Sequence, residues 1–92
     1  MNARALKNHD RRTEPRFVQT GWITISFEDP SPRLRDGLVV DVSDRGFRAV
    51  YKGPGLPAGL TVDFRREDAS GRAVVMWTQV AQDCCTSGFL VS

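Results

Sequence analysis

Ninety-two residues with 13 Lys and Arg, 11 Asp and Glu and one His carry a formal charge of +2. A chain of that length builds one domain around one modest core, with roughly 5 to 10 kcal/mol of net stability, which argues against a large catalytic cleft. The charge is uneven: residues 1–16 hold five basic side chains against Asp10 and Glu14, a balance of +3, and residues 17–92 hold eight against nine, a balance of −1.

In chain order, residues 1–16 read as a basic arm poor in apolar side chains, suited to an anionic partner or to simple solvation. Its five cations are not followed by an apolar run long enough for a signal peptide or a membrane span, so a cytoplasmic location is expected. From Phe17 to Phe27 the pattern becomes that of a strand, with Ile23, Ile25 and Phe27 alternating with Thr24 and Ser26. Trp22, of opposite parity, belongs on the outer face or beneath the arm. Glu28 to Gly37, with Pro30 and Pro32 among charges, reads as a loop or long hairpin connection.

Leu38 to Val42 is a second strand and Phe47 to Tyr51 a third, with Phe47, Ala49 and Tyr51 on one face. Lys52 to Gly59 holds three glycines and two prolines and is a loop. Leu60, Val62 and Phe64 mark a fourth strand. After a polar turn, Ala73-Val74-Val75-Met76-Trp77 reads as a fifth strand covered on both faces, with Ala73, Val75 and Trp77 sharing one of them. A sixth runs from about Gly88 to Val91. Six short strands without a helical period predict an all-β fold, a barrel or sandwich, with at most a single helical turn in the arm or in the Lys52–Gly59 loop.

Two short segments carry the chemistry. Arg12-Thr13-Glu14-Pro15-Arg16 places two guanidinium forks on one arm, each matched to phosphate oxygens and to the O6/N7 edge of guanine. Asp41-Val42-Ser43-Asp44-Arg45-Gly46 offers a carboxylate, a hydroxyl and a glycine that lets backbone approach closely, a set that also suits an ordinary β-turn. His9 has no second ligand at metal spacing. The adjacent Cys84 and Cys85 read as free thiols without a second pair for zinc. With no nucleophile elbow, phosphate loop or paired acid and base, the chain is expected to be neither an enzyme nor dependent on a metal or cofactor.

Together, RxxxR ahead of the first strand and DxSxxG between the second and third resemble the PilZ family of cyclic di-GMP receptors. The likeness extends to Gly71–Trp77 and Ser87–Val91, about residues 11–91 in all. It implies a six-stranded antiparallel β-barrel over residues 17–92, with RxxxR on an arm over residues 1–16. It also implies a receptor that orders its arm on binding cyclic di-GMP and signals to a downstream protein. Carried over by motif, Arg12 and Arg16 would grip phosphates and Hoogsteen edges, Asp41 would accept from a guanine N–H edge, Ser43 would bond to ligand or backbone, and Gly46 would keep the turn compact.

Arg11 is either a solvated arginine or, by the resemblance, a sign that an intercalated pair of nucleotides binds. Trp77 is either rim packing or a stacking platform for guanine. Many PilZ proteins continue into a C-terminal helix after the last strand. Here the last strand is followed only by Ser92, which points to a minimal barrel or to an assembly covering the open end. Two other readings stay open: a basic-armed barrel binding nucleic acid, disfavoured by the −1 balance of residues 17–92, and an interaction module that needs no ligand.

Overall fold

A computed structural model of the protein describes the backbone from Phe17 to Ser92 and the side chains from Gly21 onward. The structure is a closed antiparallel barrel of six strands: β1 Phe17–Glu28, β2 Pro32–Val42, β3 Gly46–Tyr51, β4 Thr61–Arg66, β5 Ser70–Val80 and β6 Cys85–Val91. Neighbours run β1-β2-β3-β6-β5-β4 and back to β1, so the sheet closes on itself, with the far end of the β1–β2 hairpin extending past the barrel wall. No helix occurs among the described residues, and none there could cross a membrane.

The period-2 segments bury their expected faces. Ile23, Ile25, Val39, Phe47, Ala49, Tyr51, Val62, Phe64, Ala73, Val75 and Phe89 fill the barrel. At the end where β1 begins, Phe47 packs at 4.9 Å against both Phe64 and Phe89, and the Arg66 guanidinium lies 5.5 Å from the Phe47 ring. We call this end the arm rim. It also carries the β2–β3 turn, the β4–β5 turn and the end of β6.

The opposite end is plugged by Leu56, 2% exposed, from the loop between β3 and β4. Its N–H donates to Tyr51 Oη at 2.9 Å and its carbonyl accepts from Thr78 Oγ1 at 2.5 Å. Ser87 Oγ lies 2.7 Å from Tyr51 Oη and 2.6 Å from Thr78 Oγ1. With Thr78 donating to Leu56, Ser87 to Thr78 and Tyr51 to Ser87, each hydroxyl proton is used once. The buried polar cluster is thereby satisfied.

Three details differ from the sequence reading. The loop expected over Glu28–Gly37 contracts to residues 29–31, because β2 starts at Pro32 and pairs with β1 from Glu28 onward. A proline is tolerated as the first residue of a strand, and the charged residues after it lie on an open ribbon where Thr24 Oγ1 donates to Asp36 Oδ1 at 3.2 Å. The β5 segment is covered on one face only, since Met76 is 52% and Trp77 39% exposed. Trp77 also leaves the face of Ala73 and Val75. The register shifts between Val75 and Trp77, and this bulge turns the indole outward while Thr78 bonds inward.

Candidate functional site

The β2–β3 hairpin builds the centre of the site. Asp44 and Arg45 form its tip, Ser43 N–H donates to Gly46 O at 2.8 Å, and the Ser43 hydroxyl donates to the same oxygen at 3.4 Å. Counting outward from the tip, Val42 faces Phe47 and Asp41 faces Arg48. Val39 points into the core opposite Ala49, so simple alternation would turn Asp41 inward as well. A register shift at Val40 prevents that and places the carboxylate beside Arg48 on the outer face.

Asp41 is nevertheless only 6% exposed. Arg48 Nε donates to Asp41 Oδ1 and Oδ2, each at 3.0 Å, and Arg48 Nη2 donates to Oδ2. This charge-assisted fork, opposed by partial burial and reinforced by the carboxylate's charge, raises the Arg48 pKa above its ordinary value.

Gly46 begins β3 opposite Leu90. A Cβ built on it would lie 2.0 Å from the backbone oxygen of Phe89, so the residue is glycine because β3 and β6 touch there. Its φ is not positive. In the described chain the positive values belong to Gly53 and Gly59, and the motif glycine serves strand packing rather than a left-handed turn.

Trp77 joins the same surface through another glycine. Gly88 lies between Trp77 on β5 and Arg48 on β3, and a Cβ on Gly88 would be 2.3 Å from Trp77 Nε1. The indole therefore lies over a bare stretch of β6. Val18, Asp41, Arg48, Gly88 and Trp77 form one row across five strands, beginning where β1 leaves the arm. Phe47 and Phe89, sequence neighbours of Arg48 and Gly88, form a packed aromatic layer beneath it.

Asp41, Ser43 and Gly46 thus come together at the arm rim, whereas Trp77, directly before Thr78 of the Leu56 network, lies further along the barrel wall in the row through Gly88. Arg11, Arg12 and Arg16 lie outside the described residues. Sequence reasoning missed Arg48, although its signal was present: with Asp44-Arg45 as a two-residue hairpin loop, the cross-strand partner of Asp41 is Arg48.

No protein-family model matches the chain, and no curated protein matches it. Among solved structures, the barrel is similar to a chain in the structure of the K. pneumonia MrkH–c-di-GMP complex. The TM-score is 0.68 at 17% identity, over 90% of this chain and 45% of that one. The chain therefore spans less than half the length of that neighbour. At this identity the likeness is one of fold, and it supports the PilZ-like barrel expected from the sequence.

Proposed function

We propose that the chain is a receptor for cyclic di-GMP that binds the nucleotide at the arm rim and passes its occupied state to a downstream protein, without catalysing a reaction. The observation that carries this reading is the meeting of Asp41, Ser43 and Gly46 at the rim where β1 begins at Phe17, one residue after the RxxxR motif. A carboxylate, an exposed indole and the two arginines of RxxxR are the kinds of group a guanine dinucleotide needs: an acceptor for N–H, a stacking face, and cations for phosphate. The c-di-GMP in the neighbouring MrkH structure is consistent with that ligand. In this role the protein acts in the cytoplasm, with the arm closing over the bound nucleotide.

Calorimetric titration with cyclic di-GMP, beside GTP, GMP and single-stranded DNA, tests the assignment. Losing one charge-assisted contact costs about 1.5–3 kcal/mol, a factor of roughly 10 to 150 in affinity. Arg12→Ala and Arg16→Ala should each lower affinity by that factor while the melting temperature holds. Equal binding by wild type and Arg16→Ala, or no binding by the wild type, refutes it.

A further inference from the structure

We infer that Arg66 is a phosphate-binding residue of the site: its guanidinium, held under-satisfied in the mouth of the barrel, turns onto one phosphate of the bound nucleotide. The inference rests on the proposed cyclic di-GMP reading and adds to it a ligand contact supplied by the barrel rather than by the arm.

Arg66 ends β4 opposite Ile23, a core residue, and its guanidinium lies 5.5 Å from the ring of Phe47, the residue directly after Gly46 of the DxSxxG segment. Residues paired across an antiparallel ladder share a face, so the arginine points inward at the arm rim, where an apolar side chain would ordinarily close the core. Its side chain is 16% exposed. Nε is buried and has no hydrogen-bond partner among the described residues. Asp68 Oδ1 lies 3.5 Å from Nη2, within ion-pair range but beyond the usual length of a hydrogen bond, and Asp68 also interacts elsewhere.

A cation with five donors and so little to bond is a cost to the fold. Replacing such a group by an apolar side chain of similar volume is commonly neutral or stabilising, so stability does not account for an arginine at this position. Its surroundings do: it stands against the residue that follows the motif turn, at the rim that RxxxR adjoins. The contacts that hold it inward are a cation–π contact and an ion pair to a carboxylate that is itself 60% exposed, both of them weak. A phosphate offers two oxygens to the Nε and Nη2 edge of the fork once the side chain turns outward, which satisfies the orphaned donor and replaces the loose Asp68 contact. One contact of this kind serves the nucleotide nearest the barrel, and charge beyond that is left to the arm.

Titration with cyclic di-GMP and melting curves of Arg66→Met, Arg66→Lys and Arg33→Met test this. Arg66→Met should bind about tenfold or more weakly, the loss of one charge-assisted contact, while melting at or above the wild-type temperature. Arg66→Lys, which keeps the charge without the fork, should bind with intermediate strength. Arg33→Met removes the same charge from the far end of the β1–β2 hairpin and should bind like the wild type. Weaker binding with undiminished stability is the combination that a merely structural arginine would not give. Wild-type affinity in Arg66→Met, an equal loss in Arg33→Met, or an Arg66→Met protein that melts lower or does not fold overturns the inference and leaves the receptor reading intact. Failure of the wild type itself to bind cyclic di-GMP refutes the receptor reading, and the inference with it.

Discussion

Gly46 and Gly88 sit on the outer face of neighbouring strands, yet a methyl group would have opposite consequences at the two. At Gly46 the obstacle is the Phe89 carbonyl, 2.0 Å from where a Cβ would stand, and only separation of β3 from β6 could relieve it. At Gly88 the obstacle is the indole of Trp77, which can swing into solvent. Gly46→Ala should therefore cost at least about 1–3 kcal/mol, the range for overpacking, whereas Gly88→Ala should stay within about 1 kcal/mol. Urea unfolding measures both. In a Trp22→Phe background, Gly88→Ala should also shift the remaining tryptophan emission to the red as the ring leaves its shelf. Equal stability losses for the two alanines would contradict this account.

The glycine of the DxSxxG segment could be seen as necessary from its position, but not for the right reason. Turn composition pointed to backbone freedom, while its requirement comes from a strand contact 43 residues away in the chain. Ser43 behaves as its residue type promised, with its N–H and hydroxyl both directed to Gly46 O within the turn.

Among the elements, the strands themselves were readable because a half-buried strand writes its buried face at every second residue, as Ile23/Ile25 and Phe47/Ala49/Tyr51 do. The shifts at Val40 and between Val75 and Trp77 were not. A bulge adds one residue without altering composition, and each reverses the face of everything after it. These two shifts decide the site, since one brings Asp41 to Arg48 and the other turns Trp77 out over Gly88. The extent of the β1–β2 hairpin was hidden for another reason. Two prolines and a run of charges outweighed a pairing that depends on backbone hydrogen bonds rather than on side-chain burial.

The connection between β3 and β4 is an element with a distinct energetic signature. Leu56 reaches the core only because Tyr51 Oη accepts its N–H and Thr78 donates to its carbonyl. Tyr51→Phe keeps the ring and removes the hydroxyl, leaving the buried Leu56 N–H without its acceptor and Ser87 without a donor. The expected loss is about 1–3 kcal/mol, which for a domain of this size lowers the melting temperature by about 4 °C or more. Cyclic di-GMP affinity should be unchanged, because the network lies at the end of the barrel opposite the arm rim. A Tyr51→Phe protein as stable as wild type would show that the loop is held by burial of Leu56 alone.

At the scale of the whole molecule, closure of the sheet makes the two ends of the barrel unlike. One end is sealed by Leu56 and its hydroxyl network. The other gathers the aromatic layer, the Asp41–Arg48 pair and the start of β1. On the proposed reading the rim carboxylate is already paired to Arg48, so the neutralisation of added ligand charge would fall to Arg11, Arg12 and Arg16. Arg11 places a third guanidinium directly before RxxxR, and two stacked cyclic di-GMP molecules bring four phosphate charges into one site. The expected stoichiometry is therefore two nucleotides per chain. Arg11→Leu should shift it towards one, weakening the first binding step only modestly because Arg12 and Arg16 still hold the first molecule's phosphates. Calorimetric stoichiometry of the wild type and Arg11→Leu at low and moderate salt decides the matter, since the second step, being the more electrostatic, should weaken more as screening grows. A wild-type ratio of one at both salt concentrations would return Arg11 to the status of a solvated arm residue, while leaving recognition by Arg12, Arg16 and Asp41 as proposed.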